Sequence, residues 1–140
     1  MAKMIPVVAL AALKNKQPVC AEHRGVPYCI IKSGEEVSAF VSICTHKDLA
    51  MFPPLVKKDC LVCPHHGVGF DCLTGKIAKS HGKDADPLPK VAIELIDGTV
   101  YLKTRKRHRK LIPKSERKWV AKQGKKLAKK RRKSEQEGND

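Results

Sequence analysis

Apolar and polar positions alternate in short bursts along the first hundred residues. Pro18–His23 (PVCAEH) and Val26–Ile31 (VPYCII) flank Arg24-Gly25, which predicts a tight β-hairpin. Paired outward from that turn, the register runs 23–26, 22–27, 21–28 and 20–29. Val37–Ile43 (VSAFVSI) follows Ser33-Gly34 with apolar side chains at every second position, as a strand requires. Val91–Ile96 (VAIELI) and Thr99–Lys103 (TVYLK) flank Asp97-Gly98, the strongest hairpin signal in the chain. Pro53, Pro54, Pro64, Pro87 and Pro89 fall between such runs, where a missing N–H costs no ladder bond. No window before residue 110 keeps a helical period long enough for a helix. Residues 3–104 therefore read as a small all-β domain.

The pattern changes after residue 104. Ser115 could cap a helix running to about residue 133, with Glu116 well placed near its start. Trp119, Val120, Gln123 and Leu127 would share one face, but the stripe is thin and Gly124 weakens it. Lys103–Asp140 holds 17 Lys and Arg against four acids, whereas the preceding residues hold 12 against 10. Repulsion at that density predicts a basic C-terminal extension over 105–140 that is flexible or partly helical.

Composition narrows the class. The chain has 140 residues, enough for one domain and an extension, and only six aromatics, so its core is mostly aliphatic. Six cysteines are too few for a disulfide scaffold. Met4–Leu13 is the longest apolar run, well short of the roughly 20 residues of a membrane span. It imitates a secretory signal only loosely, so a soluble protein in a reducing cytoplasm is expected. No Ser/His/Asp order, phosphate-binding glycine loop or paired-carboxylate pattern stands out.

The chemistry concentrates in Cys44–Gly67 (CTHKDLAMFPPLVKKDCLVCPHHG). Cys44-Thr45-His46 is C-x-H, and Cys63-Pro64-His65-His66 is C-x-x-H. Each half supplies one thiolate and one imidazole on a short loop. Two such halves suit a site with two metals and an unequal ligand set. A single tetrahedral zinc on two Cys and two His is the plainer alternative, although C-x-H departs from the usual zinc knuckle.

The paired motif resembles the Rieske family, in which two histidines replace two cysteines on one iron of a 2Fe–2S cluster. The resemblance extends to Gly67 after the last histidine, to Gly69–Gly75 (GFDCLTG), to the closing segment Asp86–Leu102 and to the opening strand. It covers about residues 4–103 and points to the small soluble Rieske ferredoxins. It implies a Rieske fold of small antiparallel sheets with a two-loop cluster-binding subdomain. It also implies that Cys44 and Cys63 bind one iron, and His46 and His66 the other. His66 rather than His65 is implied because the family's spacing is C-x-x-H with glycine following.

High-potential members of the family carry a disulfide between the ligand loops, at positions that are Leu49 and His65 here. They also place Ser and Tyr hydroxyls at positions that are Val68 and Phe70 here. The resemblance therefore implies a potential near the low end of the Rieske range, on the order of −150 mV. It implies a one-electron carrier, not itself an enzyme, passing electrons from a flavoprotein reductase to a terminal oxygenase. The chain is too short for an oxygenase's mononuclear-iron domain. The rival reading is a redox sensor or scaffold whose basic extension binds nucleic acid or an anionic membrane.

Other candidate groups read more quietly. Cys20 and Cys29 face each other in the expected register, as two thiols or a redox-sensitive bridge. Cys60 and Cys72 are expected to be structural thiols, and His65 a loop residue. His23, His81 and His108 are expected at the surface.

Overall fold

The computed structural model describes residues 3–46, 48–65 and 67–137, with side chains as far as Leu127. The strands are β1 (Lys3–Ala9), β2 (Val19–His23), β3 (Val26–Ser33), β4 (Glu36–Val41), β5 (Ile43–Cys44) and β6 (Leu49–Ala50). They continue as β7 (Leu55–Lys57), β8 (Cys60–Val62), β9 (Gly69–Asp71), β10 (Ile77–Lys79), β11 (Lys90–Val91), β12 (Ile93–Ile96) and β13 (Thr99–Thr104). Two helices follow, α1 (Lys106–Lys110) and α2 (Lys114–Glu137).

The strands pair antiparallel throughout the described ladders. One sheet has the order β1-β13-β12, a second β11-β4-β3-β2 and a third β10-β9-β8-β7, while β5 pairs with β6. Both expected hairpins form. His23 faces Val26 and Cys20 faces Cys29, in the register expected from Arg24-Gly25. Arg24 and Gly25 have φ of 53° and 78°, and Asp97 and Gly98 have 49° and 78°. These turns have left-handed backbone at both central residues, which matches the twist of the flanking strands.

β3 explains why Val26–Ile31 shows no clean alternation: all six residues are buried, because both faces of its sheet are covered. Val26, Tyr28 and Ile30 join Val41, Val100, Leu102 and Ile112 in one core. Cys29 and Ile31 join Phe40, Met51, Leu61 and Phe70 in another. Burying each large aliphatic side chain contributes roughly 1.5–3 kcal/mol over leaving it exposed.

The C-terminal extension does not stand apart from these sheets. Val120 of α2 is fully buried against Cys20, Ala50 and Phe52, with Leu127 packed beside it. Trp119, expected on the packed face, is 42% exposed instead. Gly124, read from sequence as a weak point, sits where a Cβ would lie 2.6 Å from the Glu22 Cβ. The helix reaches β2 only because that position carries no side chain. His108 also departs from its expected surface position. It is 3% exposed rather than on the surface, with the Tyr28 hydroxyl 3.0 Å from its Nδ1. The Arg105 N–H donates to the same Nδ1. That nitrogen is therefore the unprotonated acceptor, its lone pair shared between the Arg105 N–H and the Tyr28 O–H, which both donate to it.

Candidate metal centre

The first loop leaves β5 at Cys44 and returns at Leu49, the two residues being cross-strand partners. Its base is fixed by Ser42, which is fully buried. The Ser42 N–H donates to the Pro27 carbonyl at 2.8 Å, and its hydroxyl donates to the Met51 carbonyl. The tip is held by Thr45. Its hydroxyl donates to the Asp86 carbonyl and accepts from the Asp86 N–H at 2.9 Å. The proline-rich segment near residue 86 is thereby bound to the first loop.

The second loop leaves β8 at Cys63. The Cys63 N–H donates to the Val68 carbonyl at 2.9 Å, and the Gly67 N–H donates to the Cys63 carbonyl at 3.0 Å. Gly67 has φ of 75°, a conformation that suits glycine. The turn folds the chain back so that the His65 N–H points to the Cys63 sulfur at 3.4 Å.

Gly69–Gly75 supports both loops from below. The Asp71 carboxylate accepts from the N–H groups of Leu73 and Thr74 at 2.9 and 3.0 Å. The Thr74 and then the Leu73 N–H hold this carboxyl below the usual carboxylate range. Gly75, at φ 76°, donates its N–H to the Asp71 carbonyl and accepts from the Leu88 N–H. A Cβ there would lie 2.9 Å from the Phe40 ring and 3.0 Å from the Leu88 carbonyl, so the glycine permits the proline-rich segment to close on the core.

Of the four expected ligands, Cys44 and Cys63 are 0% and 1% exposed and lie in the same apolar cluster. His46 is partly exposed with its Nδ1 buried. His66 lies outside the described residues. Among those described, no three His, Cys, Asp or Glu side chains form a group close enough to hold a metal ion. Val68, Phe70, Met51 and Leu88 surround the two cysteines. His65 is exposed and Leu49 partly so, and all six cysteines are thiols rather than disulfides. Burial pushes the Cys29 thiol up to about 12, which makes it chemically inert. Cys72 is buried and its thiol is likewise raised by burial, while Cys60 is half-buried.

These residues fit an iron–sulfur centre. Two buried thiols arrive from separate loops into one water-excluding cluster, and the sulfur of one receives a backbone N–H. The loop signals were visible in the sequence. The Thr45–Asp86 tie was not, because its partners are 41 residues apart.

Comparison with known proteins agrees with this geometry. The family described as Rieske [2Fe-2S] domain matches residues 3–96. The complex of reduced oxygenase and oxidized ferredoxin in carbazole 1,9a-dioxygenase gives a TM-score of 0.63 at 25% identity, covering 71% of this chain and 92% of that one. The ferredoxin of carbazole 1,9a-dioxygenase from Nocardioides aromaticivorans IC177 gives 0.62 at 18% identity, over 74% and 99%. The ferredoxin of Sphingomonas yanoikuyae B1 gives 0.61 at 21%, over 74% and 100%. These last two likenesses concern the fold. Choline monooxygenase, chloroplastic, of Amaranthus tricolor is 35% identical over 65 residues, which are 44% of this chain and 15% of that protein. The chain thus spans a small part of that relative. Among the described residues no helix is long and apolar enough to cross a membrane. A match over more than half its length, on the nearly all-β fold described, means that the chain belongs to the Rieske 2Fe–2S family, whose cofactor is the Rieske-type 2Fe–2S cluster.

Proposed function

We propose that this chain is a one-electron carrier, a low-potential Rieske ferredoxin working between a flavoprotein reductase and a terminal oxygenase. The observation that carries the reading is the pair of buried thiols, Cys44 and Cys63, brought from two loops into one apolar cluster, with the partly exposed His46 two residues beyond Cys44 on the first loop. Cys44 and Cys63 would hold one iron, and His46 and His66 the other. The bound cluster supplies one reversible electron.

The chain's own residues supply the rest. Met51, Val68, Phe70 and Leu88 keep water from the thiolates. The His65 N–H stabilises negative charge on the Cys63 sulfur. Val68 and Phe70 are fully buried and apolar, so neither brings a hydroxyl to favour the more negative reduced state. That supports a potential on the order of −150 mV. The partly exposed His46 would give an electron a path toward solvent. The oxygenase partner is supported by the similarity to a ferredoxin–oxygenase complex.

The test is electron paramagnetic resonance of the reduced holoprotein, together with iron and sulfide analysis. Two irons and two sulfides per chain are expected, with a Rieske-type signal lost in His46→Ala and in His66→Ala. A colourless protein holding one zinc would overturn the reading, as would a spectrum unchanged in either variant. Rapid reduction by a flavoprotein reductase then checks the carrier role.

A further inference from the structure

A cavity of about 750 Å³ opens where the β2–β3 turn, the end of β13 and the two helices meet. Lys3 and Arg24 stand on its sheet side, and Arg117 at the head of α2. Arg105, Lys106, Arg109 and Lys110 enter from α1 and the residue before it. No aspartate or glutamate lines it among the described residues. The ion pairs described are Lys16–Asp59 and Lys103–Glu94, so none of these seven cations is paired with a carboxylate among the described residues.

Seven like charges around one concavity repel each other unless an anion joins them. The repulsion reaches the neighbouring imidazole. His23 is held below its ordinary pKa by burial first, then by Lys3 and Arg24. Arg117 supplies a second, independent sign. Its Nε is buried, and the described residues offer it no hydrogen-bond acceptor. A buried donor without an acceptor is uncommon in a native fold, and the guanidinium that carries it lines the cavity. The hydroxyls at the cavity do not fill this need. Tyr28 is engaged with His108, and Thr104 donates to the Lys3 carbonyl.

We infer that this cavity is a binding site for a small molecule carrying a run of phosphates. The concave volume falls in the range of small-ligand sites, roughly 300–1,000 Å³, rather than the shallow face that tracks a duplex. Four of its cations are arginines, whose planar forks match phosphate oxygens in pairs. Val26 and Tyr28 give it an apolar floor that suits the body of such a ligand. A nucleoside triphosphate and inorganic tripolyphosphate share the required chemistry. Occupancy would brace α2 against the sheet. It would also reach the first ligand loop's returning strand, because the Glu116 carboxylate accepts from the Ala50 N–H. The site is independent of the cluster reading.

The experiment is calorimetric titration of the full-length holoprotein with ATP, AMP, tripolyphosphate and a short single-stranded oligonucleotide. One-to-one binding is expected for ATP and tripolyphosphate and much weaker binding for AMP. Tighter binding of ATP than tripolyphosphate would assign a nucleotide, and equal binding an oligophosphate. Arg117→Ala should weaken binding by roughly tenfold or more, as loss of a charge-assisted fork implies. Arg117 also packs on the β2–β3 turn, so Arg24→Ala/Arg109→Ala, both at exposed positions, provides the second variant. Lys125→Ala/Lys126→Ala removes the same charge outside the cavity and should leave binding unchanged. Equal loss in the two double variants would overturn the site in favour of diffuse surface charge. No binding, or tighter binding of the oligonucleotide, would overturn it as well.

Discussion

Gly25 and Gly98 provide a matched pair of substitutions. Both have φ of 78° and both occupy the second position of a two-residue turn. A Cβ on Gly98 would meet nothing within 4 Å. A Cβ on Gly25 would lie 2.9 Å from the Arg117 Cβ, 3.0 Å from its carbonyl oxygen and 3.2 Å from its Cα. The left-handed backbone costs an alanine about 1–2 kcal/mol at either position. Overpacking adds about 1–3 kcal/mol, and only at Gly25, because the obstructing atoms are helix backbone and Cβ rather than a flexible tip. Gly98→Ala should therefore cost about 1–2 kcal/mol and Gly25→Ala about 2–5 kcal/mol. For a chain of this size each kcal/mol moves the thermal midpoint by roughly 3–5 °C. Circular dichroism melts of the holoproteins at one scan rate should place Gly25→Ala below Gly98→Ala by roughly 3–15 °C. Trp119 emission should change in Gly25→Ala alone, since it rides on the displaced helix. Equal midpoints in the two variants would refute the seating of α2 on the β2–β3 turn.

Three further outcomes are expected. Phe70→Tyr or Val68→Ser should raise the midpoint potential in voltammetry, by about 40 mV for each kcal/mol by which the new hydrogen bond favours the reduced state. His108 is held below its ordinary pKa by burial, then by Arg107 and Arg105. Its folded value lies below the unfolded value of about 6.5, so its contribution is complete above about pH 6.5 and is lost as pH falls through the folded value. Melts between about pH 8 and 5 should show that loss, and His108→Gln should flatten the profile. Alkylation read by mass spectrometry should modify the half-buried Cys60 well before Cys29, whose thiol is pushed up to about 12 and is wholly buried.

What the sequence disclosed follows from how local each determinant is. Arg24-Gly25 and Asp97-Gly98 set their hairpins through two residues' own backbone preferences, so both hairpins, and the register of the first, could be read directly. The cysteine loops were legible because each half of the motif spans three or four residues. Strands β7 to β10 hold only three residues each, too few to show a period, and they depend on pairing with one another. His108 looked like a surface residue because its partner Tyr28 is 80 positions away. Gly124 looked like a helix breaker because the Glu22 side chain that demands it lies on another element. In both cases the missing information was tertiary: a residue's meaning was set by a neighbour distant in the chain.

The pairing of β1 with β13 sets the order in which the domain can be assembled. Lys3 lies opposite Thr104, whose hydroxyl donates to the Lys3 carbonyl across 101 residues. Contacts of such separation carry a large loop-closure cost and slow folding. On the ribosome, Cys44 and Cys63 emerge before β13, so the sheet β1-β13-β12 cannot form until after both have been made. Iron and sulfide that arrive before β13 is made would meet an open chain, whose closure still awaits the pairing of β1 with β13.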